Sequence, residues 1–217
     1  MTQQEKKNTI DRYNDRLKEH GYDPKSLGWG EKDRAALRFE ILCSQWDFTH
    51  KTVLDFGCGF GDLGNFLSKK AESIKYIGLD INENLVAKGK ELNPEADLRI
   101  GDLLEGDFTE KVDFVLSSGV FNHKLSGNIK FIEDCFKKFD TLANEGIAVN
   151  FLSDKVDFQY EYTYHTNPAW VLELGFKYSK RVVLRNDYMP FEFTLFIFKN
   201  EEIDPKYTVY NDYLKFI

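Results

Sequence analysis

Two hydrophobic periodicities alternate along this chain of 217 residues. Short apolar runs rich in strand-forming residues predict buried β-strands at residues 52–56, 74–82, 96–100, 112–123, 147–153, 178–184 and 191–198. In the other segments, apolar residues recur every three or four positions, as they do on one face of a helix. These segments predict helices at residues 8–20, 33–46, 62–70, 83–92, 127–142 and 168–175.

The order of these elements predicts the fold class. Strands and helices alternate over most of residues 51–175, which predicts an α/β domain with a mostly parallel sheet and helices on both faces. The last two strands are joined across residues 185–190 without a helix, in a hairpin-like connection. A dinucleotide-binding fold would place another crossover helix there instead.

A glycine-rich turn follows the first strand. Gly57, Gly59 and Gly61 alternate before the next helix, and glycines let a ligand approach the main chain without meeting a Cβ. The third glycine comes one residue earlier than in the dinucleotide fingerprint G-x-G-x-x-G. Asp55 and Asp62 flank the turn, where their charges would repel a diphosphate but hold an amino group or a cation. The alternative is a turn that binds no ligand.

Acidic residues also follow the second and third strands. Asp80 lies 19 residues beyond Gly61, a distance typical of the carboxylate that binds ribose hydroxyls. Capping of the helix at 83–92 is the alternative role for this residue. Asp102 follows Gly101 at the end of the third strand. An acid after each of the first three strands predicts a site for a nucleoside with an ammonium group.

The pattern D-x-G-x-G-x-G at residues 55–61 resembles motif I of the class I S-adenosylmethionine-dependent methyltransferases. The resemblance extends over about residues 50–199. It implies a Rossmann-like, doubly wound sheet of seven mostly parallel strands, with an antiparallel last strand and helices on both faces. It also implies S-adenosylmethionine as the cofactor, S-adenosylhomocysteine as the product, and no metal.

The resemblance assigns cofactor contacts by position. Asp55 corresponds to the site of the methionine end, Asp80 to that of the ribose and Asp102 to that of the adenine. Ser118 and Gly119 correspond to the floor near the sulfonium. The expected cofactor-binding residues are Asp55, Gly57, Cys58, Gly59, Asp80, Ile81, Asp102, Leu103, Ser118 and Gly119.

The acceptor site is predicted after the fourth and fifth strands. Residues 118–123 read Ser-Gly-Val-Phe-Asn-His, where nucleobase amino-methyltransferases carry Asn/Asp-Pro-Pro-aromatic, and this difference argues against DNA or RNA adenine methylation. His123 is a candidate general base, with an exposed loop histidine as the alternative. The aromatic segment 154–168 predicts an acceptor pocket or, alternatively, an edge strand. The candidate acceptor-binding residues are Trp29, Asn122, Tyr160, Tyr162, Tyr164 and His165.

Composition limits the classes of binding partner and the cellular compartment that we expect. The net charge of −7 and the absence of a basic block argue against nucleic acid as a partner. Three widely spaced cysteines form neither a disulfide framework nor a metal cluster, which predicts a reducing, cytoplasmic location. No run approaches about 18 apolar residues and the N-terminus is polar, so we expect no membrane span and no signal peptide. Monomer and homodimer both remain open.

These expectations combine into a domain plan and a function. Residues 1–50 are expected to form N-terminal helices and a lid over the cofactor cleft, residues 51–199 the methyltransferase core, and residues 200–217 an aromatic tail. Simple packing of the first helix on the sheet is the alternative to a lid. The expected activity is methyl transfer from S-adenosylmethionine to an oxygen or nitrogen of a small molecule. A non-catalytic binding module or a partner-dependent subunit is the second hypothesis, and an NAD-dependent reductase the third.

Overall fold

The computed structural model describes residues 1–29 and 32–200. In that part of the chain the α-helices are Gln3–His20 (α1), Lys32–Leu42 (α2), Asp62–Leu67 (α3), Glu83–Leu92 (α4), Asn128–Leu142 (α5) and Pro168–Phe176 (α6). The strands are Thr52–Phe56 (β1), Lys75–Asp80 (β2), Leu98–Ile100 (β3), Val112–Ser117 (β4), Ala143–Leu152 (β5), Val182–Arg185 (β6) and Glu192–Phe198 (β7). The predicted aromatic tail lies outside the described residues, apart from Asn200.

The strands form one sheet in the order β3-β2-β1-β4-β5-β7-β6. Neighbouring strands from β3 to β5 are parallel, whereas β7 is antiparallel to both of its neighbours, β5 and β6. The seven-stranded sheet with an antiparallel last strand is therefore confirmed. The strand order reverses between β1 and β4, and ligands of open α/β sheets bind at the carboxyl ends of the strands beside such a reversal.

Helices cover both faces of the sheet because successive strand residues point to opposite sides. Leu54 packs on one face in a core that includes Phe136 of α5 and Val171 of α6. Its neighbour Val53 packs on the other face with residues of α2 and α3, such as Leu42. The two buried layers account for the near-continuous apolar character of the central strands.

The N-terminal helix is longer than the hydrophobic pattern predicts. Thr2 caps α1 in a reciprocal capping box with Glu5, which extends the helix over polar residues that no apolar periodicity marks. At the other end, the backbone N–H of Gly21 donates to the carbonyl of Leu17 at a positive φ of 64°. The predicted termination of the helix at Gly21 is thus confirmed.

The three cysteines, Cys43, Cys58 and Cys135, are all buried and unpaired. Burial raises the pKa of each thiol, so none of them is a ready thiolate. Within residues 1–29 and 32–200, no helix has both the length and the apolar character needed to cross a membrane.

Candidate active site

Two adjoining cavities lie at the carboxyl ends of the central strands. The inner cavity, of about 110 Å³, is lined by the glycine turn after β1 and by Asp80, Asp102 and Ser118. The outer cavity, of about 760 Å³, is lined by α1, by the connection to α2 and by part of the segment 154–168. Both cavities are lined by five residues, which we call the shared wall: Tyr13, Leu27, Trp29, Gly119 and His123.

The glycine turn has a backbone that side chains would disrupt. Gly57, Gly59 and Gly61 all have positive φ, at 77°, 55° and 82°. A Cβ on Gly57 would lie only 2.1 Å from Cγ2 of Val120, so the main chain and the loop after β4 approach too closely for any other residue. The glycines therefore leave bare backbone at the inner cavity.

Asp80 fastens this turn to the end of β2. Its Oδ2 accepts a hydrogen bond of 2.9 Å from the Gly59 N–H, and its Oδ1 accepts one of 2.8 Å from the Asn82 N–H. Capping of α4 falls to Asn82, whose side-chain oxygen accepts from the backbone N–H groups of Asn84 and Leu85. The alternative role of Asp80 as the helix cap is thus wrong, because the turn places Asn82 at that position. Burial raises the pKa of Asp80.

Asp55 is a buried carboxyl with an unusual pKa. Its side chain is 3% exposed and its Oδ2 accepts a hydrogen bond of 2.6 Å from the Tyr76 hydroxyl. Burial raises its pKa to about 7, helped by the nearby carboxylates of Asp80 and Asp62, although the bond from Tyr76 acts in the opposite direction. Three acids beside one cavity repel each other, and a cationic group bound there would stabilise their charged forms.

Ser118 supplies an unsatisfied polar atom to the inner cavity. Its Oγ is buried and has no hydrogen-bond partner among the described residues, a state that costs free energy unless a ligand or water supplies a partner. The next residue, Gly119, is held in place because its N–H donates to Oδ1 of Asn150 at 2.9 Å. The buried acids, the bare glycine backbone and this hydroxyl fit a polar, positively charged ligand such as S-adenosylmethionine.

The structure separates the two residues expected at the adenine. Asp102 lines the inner cavity, with its Oδ2 3.1 Å from the Lys6 ammonium and its Oδ1 accepting from the Leu104 N–H. Leu103 does not line it: its side chain is fully buried in the core beneath the sheet edge. The turn after Asp102 directs the Leu103 side chain into the core, and the expected contact of this residue with the cofactor stays a prediction.

Helix α1 lies across the inner cavity. Lys6 joins it to Asp102 after β3, Oε1 of Glu5 accepts from the Ser126 N–H at 2.6 Å, and Nδ2 of Asn82 donates to the Ile10 carbonyl at 3.2 Å. Thr9 and Tyr13 of the same helix line the cavity. The division of the chain into lid, core and tail stays a prediction, and this placement agrees with the proposed position of the lid.

His123 is the predicted catalytic residue and belongs to the shared wall. Its Nε2 is 2.6 Å from Oη of Tyr13, and its Nδ1 is 3.4 Å from Nη1 of Arg12. Burial, together with the charges of Arg12 and Arg16, lowers its pKa to about 4. The side chain is therefore a half-buried, neutral imidazole near pH 7, not an exposed loop histidine.

Most of the predicted acceptor-binding residues meet at the outer cavity. Those that line it are Trp29, Asn122, Tyr160, Tyr162 and His165. Tyr164 does not line it, because its ring packs against the core. The alternative of an edge strand is wrong for this segment, which makes only the isolated bridges His123↔Thr163 and Ser153↔Thr166.

Two of these residues also hold the cavity together. Oδ1 of Asn122 accepts a hydrogen bond of 3.1 Å from the Leu152 N–H, and Nδ1 of His165 contacts the Ser153 carbonyl at 2.7 Å. The first contact ties the loop after β4 to the end of β5, and the second joins two parts of the segment that follows β5. Their side chains thus position the aromatic segment in addition to lining the cavity.

Sequence reasoning missed the contribution of α1 to the site. Arg12, Tyr13 and Arg16 line the outer cavity, yet their positions show only an ordinary amphipathic helix. The spacing of Arg12 and Arg16, four residues apart, places both on one helix face, and this was the available signal. Buried Arg38 pairs with Glu192, which lies 154 positions later in the chain, a contact that no local pattern indicates. Among the described residues, no group of three His, Cys, Asp or Glu side chains is placed to hold a metal ion.

The fold and the site are similar to those of the class I S-adenosylmethionine-dependent methyltransferases. Residues 53–141 match the family model of the methyltransferase domain. A protein of Mycobacterium tuberculosis, Rv1506c, provisionally named a methyltransferase, is 25% identical over 155 residues, covering 68% of this chain and 93% of that protein.

Solved structures support the fold. Magnesium protoporphyrin IX methyltransferase from Synechocystis PCC 6803, solved with bound S-adenosylhomocysteine, aligns with a TM-score of 0.64 and 16% identity over 90% of this chain and 99% of that one. A methyltransferase solved in complex with the Trm112 activator of Haloferax volcanii aligns with a TM-score of 0.59 and 15% identity, over 76% of this chain and 90% of that chain. At these identities the likeness is one of fold alone.

Proposed function

We propose that this chain transfers the methyl group of S-adenosylmethionine to an oxygen or nitrogen of a small molecule held in the outer cavity. The observation that supports this proposal is the shared wall, where Tyr13, Gly119 and His123 contact both cavities. A donor in the inner cavity and an acceptor in the outer cavity would meet at these residues. Alignment of two reactants in this way can contribute most of the rate acceleration of a displacement.

The residues of the inner cavity have distinct roles in this proposal. When bound, the cofactor supplies a methyl group already activated by a positively charged sulfur. Asp55 would hold the ammonium group, Asp80 the ribose hydroxyls and Asp102 the adenine amine. Ser118 would gain the hydrogen-bond partner that its buried Oγ lacks within the described protein. The glycine turn would allow close approach of the methionine end.

Tyr13 and His123 are proposed to orient the acceptor, and the neutral imidazole of His123 to receive its proton when the acceptor is a hydroxyl. A pKa of about 4 makes the imidazole neutral but weakly basic near pH 7, and burial raises the pKa of Tyr13 to about 12. Neither group is a strong base at neutral pH. We therefore assign most of the catalysis to alignment across the shared wall, with His123 and Tyr13 as polar contacts of the acceptor.

Calorimetry of the full chain with S-adenosylmethionine and S-adenosylhomocysteine tests the inner cavity. Formation of S-adenosylhomocysteine with a panel of small-molecule acceptors then tests catalysis. Binding together with turnover supports the proposal. Binding without turnover across the panel contradicts it and favours a non-catalytic module, and binding of a nicotinamide dinucleotide in place of both ligands favours a reductase.

Replacement of Asp80 tests the assignment of the cofactor site. Asp80→Ala is expected to weaken S-adenosylhomocysteine binding about tenfold to a hundredfold, the loss expected for one or two charge-assisted hydrogen bonds. Asp80→Asn keeps an acceptor for the Gly59 N–H, so it shows how much of the lost affinity comes from the carboxylate charge and how much from a disturbed glycine turn. Asp134→Ala is the matched control, since Asp134 pairs with Lys130 on an exposed side of α5. Unchanged affinity in Asp80→Ala would show that the assignment is wrong.

A partner-dependent subunit is the second candidate. The fold neighbour from the Haloferax volcanii complex is a methyltransferase solved with its activator, and this is the observation that favours the candidate. Turnover by the purified chain alone would contradict it. If the purified chain binds the cofactor and turns over only after a cell extract from its own organism is added, the result would support the partner-dependent subunit over the single-chain enzyme.

A further inference from the structure

The outer cavity is rich in positive charge on a chain whose net charge is −7. The basic side chains that line it are Arg12, Arg16, Lys25, Arg34 and Arg38. Among the described residues, two carboxylates line it, those of Glu19 and Glu192. An excess of cations in one concave site of an acidic protein indicates a ligand of negative charge.

The carboxylates do not neutralise this excess. Glu192 is buried and accepts from Nε of Arg38 with both oxygens, at 2.8 and 2.9 Å. Glu19 contacts His20 at 3.7 Å. It therefore does not neutralise the remaining basic side chains of the outer cavity. Within the described part of the chain, no ion pair is formed by Arg12, Arg16, Lys25 or Arg34.

Arg12 and Arg16 belong to α1, the helix that also carries Tyr13 of the shared wall. Both are half-buried, and Arg12 lies with its guanidinium 4.4 Å from the ring centroid of Tyr162 and 3.4 Å from Nδ1 of His123. Arg16 packs against the turn at Gly28, where a Cβ would come within 2.3 Å of its Nη1. Both guanidinium groups thus pack against other residues of the site. Charged groups on an open helix surface would be surrounded by water instead.

A buried donor in the same cavity lacks an acceptor. Arg38 is 8% exposed, and its Nη1 has no hydrogen-bond partner among the described residues. An unsatisfied N–H of a buried charged group is costly. An oxyanion bound in the cavity would provide the missing acceptor, whereas a neutral apolar ligand would not.

Aromatic rings also line the outer cavity. Phe158, Tyr160 and Tyr162 are 68%, 57% and 45% exposed although they are large and apolar, and Tyr160 stacks on Tyr162 with ring centroids 5.4 Å apart. Trp29 and Phe191 line the cavity as well. Exposed ring faces favour a flat, unsaturated ligand body.

We propose that the methyl acceptor is an organic anion in which a flat unsaturated body carries a carboxylate or a phosphate group, and that Arg12 and Arg16 bind this group. This inference rests on the proposed function, because it names the class of molecule that enters the outer cavity. Guanidinium groups bind carboxylates and phosphates through paired hydrogen bonds. Arg12, Arg16 and the rings thus define the specificity of the site, while the inner cavity defines the donor.

Three probes of the same shape test the charge preference: 2-naphthoate, 2-naphthyl phosphate and neutral 2-naphthamide. Their binding to the full chain is followed by naphthalene fluorescence, with and without S-adenosylhomocysteine. We expect at least one of the two anions to bind about tenfold or more tightly than the amide. The tighter of the two anions identifies the group as carboxylate or phosphate.

Variants test the named residues. Arg12→Gln and Arg16→Gln are each expected to weaken binding of the anionic probe about fivefold or more and to leave the amide unchanged. Arg16→Lys should restore part of the loss, since it keeps the charge without the paired geometry. Lys130→Gln is the matched control, because it removes one positive charge from the exposed surface of α5.

The outcomes separate this inference from the proposed function. Equal binding of the amide and both anions, or no effect of Arg16→Gln, overturns the inference. Turnover with neutral or cationic acceptors alone would also overturn it while supporting the proposed function. Failure of S-adenosylhomocysteine to bind, with the probe preference intact, would overturn the proposed function and with it the role of the anion as methyl acceptor.

Discussion

The hydroxyl of Tyr13 lies 2.6 Å from Nε2 of His123, and the two rings meet edge to face with centroids 5.3 Å apart. This contact joins α1 to the loop after β4 at the place where the two cavities meet. One residue comes from the N-terminal helix and the other from the end of a central strand. The candidate active site therefore depends on the docking of α1 against the core.

The charge state of His123 gives the first prediction. Its pKa is lowered to about 4 by burial and by Arg12 and Arg16, so its ring should stay neutral down to about pH 5. Because the folded pKa lies below that of the unfolded chain, this residue contributes stability above about pH 6.5 that is lost as the pH falls toward 4. NMR titration of the imidazole signals measures the pKa directly.

Arg12→Gln and Arg16→Gln test the cause. Each variant should raise the pKa of His123, since each removes a positive charge that disfavours the imidazolium. Lys130→Gln serves as the control for the loss of a distant charge. A titration of His123 near pH 6.5 in the unmodified chain would contradict the burial of this side chain.

The contribution of Asp55 to stability is predicted to depend on pH in the opposite direction to that of His123. Its folded pKa is raised to about 7, so its contribution to stability is fully present below about pH 3.8 and is lost as the pH rises through 7. Asp55→Asn removes the buried charge. Relative to the parent chain, the variant should gain about 2 to 3 kcal/mol of unfolding free energy between pH 5 and pH 8.

Urea denaturation at both pH values measures this difference. Asp134→Asn, at an exposed position on α5, controls for the loss of one carboxylate from the surface. An equal gain in the two variants, or no gain in either, would show that Asp55 is already ionised in the folded chain at pH 5.

Cofactor binding should release a proton from Asp55. An ammonium group beside this carboxyl would lower its pKa, so binding of S-adenosylhomocysteine near pH 7 should release up to about half a proton. Affinity should therefore rise with pH up to about 7 and then level off. Calorimetry in two buffers of different ionisation enthalpy measures the proton count, and Asp55→Asn should abolish it. Identical heats in the two buffers would place the ammonium elsewhere.

The buried pair of Arg38 and Glu192 gives a prediction about stability. Glu192→Gln leaves the Arg38 charge buried without its partner, which should cost about 3 to 5 kcal/mol of unfolding free energy. The double change Arg38→Met with Glu192→Leu removes both charges at similar volume and should recover much of this loss. Chemical denaturation of the two variants measures the difference. A single variant as stable as the parent would show that the pair is solvated.

The carboxyl ends of the central strands show what the sequence could predict. The alternation of apolar runs and amphipathic segments is a local property of the chain, and it identified the strands that the structure contains. Asp55 is the penultimate residue of β1, Asp80 ends β2 and Asp102 follows β3. Parallel strands bring their carboxyl ends to one edge of the sheet, so these acids were expected together, and all of them line the inner cavity.

Orientation of single side chains was less predictable. Leu103 and Tyr164 were expected at the site, yet both pack into the core, because the turns that precede them decide which way each side chain points. A position beside a strand end does not determine that direction.

What the sequence alone determined was the sheet and the convergence of the acids, since both follow from local periodicity and spacing. The tertiary structure decided the rest. The contact of Tyr13 with His123 spans 110 positions and the pair of Arg38 with Glu192 spans 154. Contacts at such separations form only when packing of the whole core fixes where α1 and α2 dock, and the positive charge of the outer cavity follows from that docking.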